Sequence, residues 1–187
     1  MIGVLALQGG VKEHIFALKK LGVDAKEVRT PEQLNGLKGL IIPGGESTTL
    51  RKLIDEFGLR EKIIEMHNKG MALFGTCAGA IVLSKKIEGE EGFIPALEIT
   101  AKRNSYGGQT ESFETMIKVK GFDKEFPGIF IRAPEFLPPA NGIEVLAEFN
   151  KKPVLVRDGN VMLSSFHPEL TQDLRIHELF LKIAKVY

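Results

Sequence analysis

Residues Ile2 to Leu7 form an unbroken apolar run that stops at Gln8-Gly9-Gly10. A run with no polar alternation predicts a strand buried on both faces, the situation of a strand inside a parallel sheet. A helical pattern follows, with Val11, Ile15, Leu18 and Leu21 on one side and Lys12, Glu13, Lys19 and Lys20 on the other. Gly22 suits the C-terminal cap. The alternation then repeats. Val23 to Val28 and Gly39 to Ile42 read as strands, the second ending in Pro43-Gly44-Gly45. Ser47 reads as the N-cap of a helix over Thr48 to Phe57. A further helix is expected over Leu59 to Asn68 and a fourth strand over Met71 to Phe74. This order predicts a parallel sheet with helices on both faces.

The second half changes character. Short strands are expected at Glu114 to Val119, Gly128 to Ile131, Ile143 to Phe149, Pro153 to Val156 and Val161 to Phe166. Asn141-Gly142 and Asp158-Gly159 read as turns between strands, the latter as a hairpin. A closing helix over Asp173 to Val186 presents Ile176, Leu179, Phe180 and Ile183 on one face. The expected architecture is a parallel α/β core extended by antiparallel strands. At 187 residues and about 150 residues per domain, with no repeat or linker, one domain spanning 1–187 is expected.

Composition excludes several functions. Lys and Arg number 25 against 24 Asp and Glu, a formal net charge of +1, so there is no electrostatic case for nucleic acid or an anionic membrane surface. A single Cys allows no internal disulfide, and one Cys with 4 scattered His is a poor donor set for a structural zinc, which takes four clustered ligands. The longest nearly apolar stretch, Met71 to Leu83, falls short of the about 20 residues a membrane span needs. The opening MIGVLALQGG has no basic leader, so an intracellular, cytoplasmic protein is expected.

Chemistry concentrates in Phe74-Gly75-Thr76-Cys77-Ala78-Gly79-Ala80, at a strand-to-helix junction. Gly-x-Cys-x-Gly has the form of a nucleophile elbow with Cys in place of Ser. Glycines two before and two after the Cys suit a tight turn against close backbone. The helix N-terminus favours a thiolate, and the Ala78 N–H is placed for an oxyanion hole. The segment alone leaves two readings open, this one and a small buried hydrophobe.

A thiol nucleophile needs a base and an orienter for that base. His167-Pro168-Glu169, at the end of an expected strand, supplies both, since residues i and i+2 of extended backbone point the same way. His14, His67 and His177 lie in helical segments and are expected at the surface. Pro43-Gly44-Gly45-Glu46-Ser47 ends a strand and opens a helix, where a glycine pair can aim backbone N–H groups at an anion; a plain capped turn reads equally well. It lacks the Lys of a phosphate-binding Walker loop.

Taken together, LALQGGVKEH, IIPGGESTTL, FGTCAGAIVLSK, RNSYGGQ, FIRAPE and SSFHPELT resemble class I (triad-type) glutamine amidotransferases, most closely the PdxT/SNO family, the glutaminase subunits of pyridoxal 5'-phosphate synthase. The blocks span nearly the whole chain in matching order. The resemblance implies a three-layer, flavodoxin-like α/β fold with a mixed, mostly parallel central sheet. It implies that Cys77 attacks the amide carbon of L-glutamine, that His167 moves the proton, and that Glu169 orients His167. It implies an oxyanion hole from Gly45 and Ala78, and glutamine contacts at Gly45, Glu46, Ser47, Arg103, Ile131 and Arg132. An arginine suits the substrate carboxylate, which its fork can grip at two oxygens. The implied partner is a (β/α)8-barrel synthase subunit in a large hetero-oligomer, which takes the released ammonia. Gln8 is the candidate for coupling docking to formation of the oxyanion hole. No cofactor motif is present, and no bound pyridoxal phosphate is expected.

One departure is visible. Members of the family commonly carry RNxFGRQ, whereas this chain has Tyr106 and Gly108; the loss of the arginine puts in doubt a charge contact at that point. The competing readings are a class I glutaminase serving a different synthase, a cysteine hydrolase of another type on a similar fold, and a flavodoxin-like binding module with a structural Cys. Turnover of glutamine separates the first from the other two.

Overall fold

Every apolar run that stops at a glycine-rich loop becomes a strand of one sheet. The structure, a computed structural model, describes residues 1–103, 112–139 and 142–187; the expectations for Tyr106, Gly108 and Asn141 lie outside them. In chain order the elements are β1 (Ile2–Leu5), α1 (Val11–Lys20), β2 (Ala25–Val28), β3 (Gly39–Ile42), α2 (Ser47–Glu56), α3 (Arg60–Asn68), β4 (Ala72–Thr76) and α4 (Ala78–Leu83). There follow β5 (Ser84–Ile87), β6 (Glu90–Glu91), β7 (Leu97–Lys102), β8 (Ser112–Ile117), β9 (Phe126–Ile131), β10 (Glu135–Phe136), β11 (Glu144–Phe149), β12 (Lys152–Asp158), β13 (Val161–Ser164) and α5 (Arg175–Ile183).

Among the described residues the central sheet has seven strands in the order β11-β12-β13-β4-β3-β1-β2. Strands β13, β4, β3, β1 and β2 run parallel, and β12 and β11 extend the β13 edge antiparallel. The fold is therefore mixed, mostly parallel α/β. The expected β12–β13 hairpin forms, but its two-residue turn is Gly159-Asn160, one residue later than Asp158-Gly159: Asp158 still pairs with Val161, and Gly159 takes φ 52°.

The period of two along each strand divides the core into two. Leu5, Leu40, Ile42, Leu73 and Leu163 face one way and meet Leu50 and Ile54 of α2, Ile63 of α3 and Val82 of α4. Ile2, Val4, Ile41, Phe74 and Met162 face the other way and meet Leu18 of α1 and Ile176 and Phe180 of α5. The result is three layers, helices on each side of a doubly covered sheet.

Two other sequence expectations change. Glu46, not Ser47, caps α2: its longer carboxylate reaches the amides of Thr48 (3.0 Å) and Thr49 (2.7 Å) and the Thr49 hydroxyl (2.8 Å), and an anion is favoured at a helix N-terminus. A second sheet, β10-β7-β5-β6, and a separate β8–β9 ribbon pack outside the central one; β5, β6 and β10 leave little signal because they are short and charged, as at Lys85, Lys86, Glu90 and Glu91, whereas β7 alternates, with Leu97, Ile99 and Ala101 buried on one face. Among the described residues no helix is long and apolar enough to cross a membrane.

Candidate active site

Four neighbouring parallel strands deliver four loops to one sheet end. The chain leaves β1 into Gln8-Gly9-Gly10, β3 into Pro43-Gly44-Gly45, β4 into Cys77 and β13 toward His167. This carboxyl end is where open α/β sheets bind ligands.

Cys77 stands between β4 and α4 at φ 50°, ψ −109°, a left-handed conformation that costs a non-glycine residue energy. It is held there by surroundings without slack. Its N–H donates to the Ser164 carbonyl at 2.8 Å, extending the β13–β4 pairing. A Cβ on Gly75 would lie 2.6 Å from the Gly79 backbone, and one on Gly79 would lie 1.9 Å from the Ile42 carbonyl oxygen. Both glycines of the elbow are thus required by close backbone approach. The Cys77 thiol donates to the Ile131 carbonyl at 3.7 Å. Ala78 opens α4 directly after it.

His167 reaches Cys77 from the neighbouring strand end, its backbone N–H anchored on the Ile129 carbonyl at 2.8 Å. Its Nδ1 lies 2.8 Å from Glu169 Oε1, a hydrogen bond that leaves the other ring nitrogen for the thiol. Pro168 starts a short 3-10 turn, Pro168–Leu170, and i and i+2 come side by side through that turn rather than through extended backbone. Burial disfavours charge on His167, but hydrogen bonds to Cys77 and Glu169 and the Glu169 charge outweigh it, lifting its pKa to about 10. Burial also works against the Glu169 carboxylate; the His14 and His167 rings nevertheless hold its pKa below the usual value. The charge pattern favours an imidazolium beside Cys77 at neutral pH.

These groups border a cavity of about 580 Å³. Gly45, Glu46, Ser47, Cys77, Ala78, Arg103, Ile131, Arg132, His167 and Glu169 all line it, joined by Glu13 and Leu170, which sequence reasoning did not single out. Arg103 donates from Nε to the Ser47 hydroxyl at 3.2 Å and pairs with Glu90 at 2.6 Å. Arg132 is exposed at φ 44°, a second non-glycine residue in left-handed backbone beside the same cavity. The Glu46 carboxylate is committed to its helix cap, which holds its pKa down to about 2, first through the Thr48 amide. Gln8 stands behind the cavity wall, its amide donating to the Glu46 carbonyl at 2.7 Å. The loops are interlocked: a Cβ on Gly9 would meet the Gly44 carbonyl oxygen at 2.0 Å, and one on Gly44 would meet His167 Cε1 at 2.6 Å.

The histidine expectations divide. His67 is partly buried, its Nδ1 3.0 Å from the Met71 carbonyl. His14 and His177, expected at the surface, are completely buried. Their positions explain it: His14 shares a helical face with Val11 and Leu18, and His177 shares one with Ile176 and Phe180. Both pack behind Glu169. Among the described residues no group of three or more His, Cys, Asp or Glu side chains could hold a metal ion.

An α/β sheet with Cys, His and Glu meeting at its carboxyl end matches the class of triad-type glutamine amidotransferases. A solved structure described as a glutamine amidotransferase superimposes with a TM-score of 0.93 at 53% identity, covering 98% of each chain. The chain belongs to the SNO glutamine amidotransferase family, which matches residues 4–185. It is 53% identical to the pyridoxal 5'-phosphate synthase subunit PdxT of Thermus thermophilus, over 100% of this chain and 98% of that protein. It is 48% identical to the subunit of the same name from Thermotoga petrophila, over 98% and 99%.

Proposed function

We propose that residues 1–187 act as one glutaminase domain, the ammonia-producing subunit of a pyridoxal 5'-phosphate synthase. The observation that carries the reading is the convergence of Cys77, His167 and Glu169 on one cavity that also holds the glycine-rich loop and two arginines. The names of the full-length relatives support the choice of synthase.

In this reading Arg103 and Arg132 face the charged end of glutamine, with Glu46 and Ser47 at the same wall. The Cys77 thiolate adds to the side-chain amide carbon, and the carbonyl oxygen becomes an oxyanion that accepts from the N–H groups of Gly45 and Ala78. When the tetrahedral species collapses, the carbon–nitrogen bond breaks and the His167 imidazolium protonates the leaving nitrogen. Ammonia and a γ-glutamyl thioester result. His167, now neutral, takes a proton from water as the hydroxyl adds to the thioester carbon. A second collapse expels the Cys77 thiolate, releases glutamate and restores the ion pair. Glu169 keeps the ring oriented and its charge balanced throughout. Ammonia passes to the partner, a (β/α)8-barrel synthase subunit in a large hetero-oligomer, within the cytoplasm.

The test is glutamate release from glutamine by the wild type and by Cys77→Ala, each with and without a pyridoxal 5'-phosphate synthase subunit. Release that depends on Cys77 and rises with the partner supports the reading. Release indifferent to that partner assigns the glutaminase to another synthase.

A further inference from the structure

Glu169 uses only one of its two oxygens on His167. The other, Oε2, is buried and has no hydrogen-bond partner within ordinary geometry. His14 Nε2 lies 3.5 Å from it. A buried carboxylate oxygen facing nothing is expensive, so what His14 presents to it matters.

His14 lies on α1 and His177 on α5, and the two rings meet at Nδ1 and Nε2 respectively, 3.0 Å apart. Phe74, three residues before Cys77, turns its ring edgewise to both at 6.4 Å. His14 Nε2 also lies 3.4 Å from the Thr76 hydroxyl. His177 Nδ1 has no partner. The assembly links two helices, the nucleophile strand and the Glu169 turn behind the cavity.

Proton bookkeeping decides its state. One shared hydrogen joins the two rings. If His14 donated it from Nδ1, its Nε2 would carry a lone pair toward a carboxylate, and His177 Nδ1 would be a buried N–H with no acceptor. If His177 donates it from Nε2, His14 carries its proton on Nε2, facing Glu169 Oε2, and the orphan on His177 is a bare lone pair. Unpaired buried N–H groups are the rarer and costlier defect, and the second arrangement also satisfies the carboxylate. Both rings are neutral in it. Burial, opposed by the pull of Glu169, pushes His14 below its usual range, and burial pushes His177 down to about 3.

We propose that His14 is a positioning residue, locked by His177 as the Nε2–H tautomer so that it presents an N–H to the second oxygen of Glu169 and keeps that carboxylate charged and aimed at His167. At 3.5 Å the contact is long for a hydrogen bond, and what it supplies is the positive end of an N–H dipole facing a buried negative charge. The effect on turnover rests on the glutaminase reading above; the tautomer does not.

Two readouts test it. The first is nitrogen-15 NMR of the histidine rings in the full chain, read from pH 5.5 to pH 8. His14 and His177 are expected as neutral Nε2–H rings throughout. An Nδ1–H ring or an imidazolium at His14 overturns the proposal, whatever the enzyme does. The second is glutamine hydrolysis with the synthase subunit present. His14→Leu is expected to lower kcat about tenfold, the scale of one hydrogen bond to a charged group, with KM unchanged. His14→Gln, whose amide nitrogen reaches the place of Nε2, is expected to recover most of it, and His177→Phe to fall between. Equal losses in His14→Leu and His14→Gln, or a loss in KM alone, overturn the positioning role. If His14→Leu does not fold, the NMR tautomer and the His14→Gln rate still decide. If the wild type releases no glutamate, the functional reading fails while the tautomer is judged on its own.

Discussion

Gln8 donates its side-chain amide to the backbone carbonyl of Glu46 at 2.7 Å, tying the loop after β1 to the loop after β3. The tie is tight. Gly45 is at φ 134°, and a Cβ there would lie 2.9 Å from Gln8 Cδ, so the Gln8 side chain packs directly against the Gly45 backbone. A partner that presses on Gln8-Gly9-Gly10 would therefore shift the amide proposed for the oxyanion hole. Gln8→Ala is expected to cut partner-stimulated glutamate release about tenfold, the size of a misaligned oxyanion donor at the mild end, while thermal unfolding stays within a few degrees. Stimulated turnover equal to wild type contradicts the coupling.

Glu169→Gln keeps the shape of the carboxylate and removes its charge. The expected loss in kcat is about a hundredfold to ten-thousandfold, as for a neutralised triad acid elsewhere. The pH profile gives the sign. His167 must be protonated to protonate the leaving nitrogen, so activity falls as pH rises through its pKa of about 10. Burial already opposes that charge, and without Glu169 less resists it. The alkaline limb of kcat/KM is expected to move to lower pH in the variant. A limb that stays in place contradicts the role of Glu169.

Two glycines separate fold from chemistry. Gly79→Ala would drive a Cβ to 1.9 Å from the Ile42 carbonyl oxygen, with backbone on both sides. A destabilisation of roughly 3 kcal/mol or more is expected, read as a lower denaturant midpoint. Gly44→Ala puts its Cβ 2.6 Å from His167 Cε1, a side chain that can yield. That variant is expected to fold and to lose kcat, because the ring that yields is the proposed acid–base. A Gly44→Ala enzyme with wild-type kcat contradicts the placement of His167.

Stability should depend on pH through buried histidines. His177 is depressed from 6.5 to about 3, so between those values the unfolded chain binds a proton that the folded chain refuses. Stability from this group is full above about pH 6.5 and falls as pH drops toward 3, by about 2 kcal/mol between pH 6.5 and pH 5 if it acts alone. His167 acts oppositely: its stabilisation is full below 6.5 and is lost as pH rises through about 10. Urea midpoints at pH 5 and pH 7 for wild type and His177→Phe check the first claim. The gap between the two pH values is expected to narrow in the variant; an unchanged gap contradicts it.

The parallel core was legible because strands such as β3, Gly39–Ile42, are buried on both faces and therefore read as unbroken apolar runs. The elbow was legible because its two glycines answer to backbone contacts that any residue with a Cβ would violate. Most of the outer sheet was not, because strands as short and charged as Glu90–Glu91 leave no periodicity; its strand β7 does alternate, with Leu97, Ile99 and Ala101 inward, but over only six residues. The buried histidines were misread by residue type alone. The helical period puts His14 with Val11 and Leu18, and it puts His177 with Ile176 and Phe180; that period outranks the usual exposure of histidine, and it alone pointed inward. Nothing in the sequence placed Glu169 between His14 and His167, since contacts among α1, α5 and the turn after β13 arise only from the packing of the layers.

The most direct test of the central claim is glutamate release from glutamine by the full chain with a pyridoxal 5'-phosphate synthase subunit, beside Cys77→Ala under the same conditions. The expected result is turnover in the wild type, raised by the subunit, and none above background in Cys77→Ala. Equal turnover in the two proteins, or none in the wild type with the subunit bound, would contradict it.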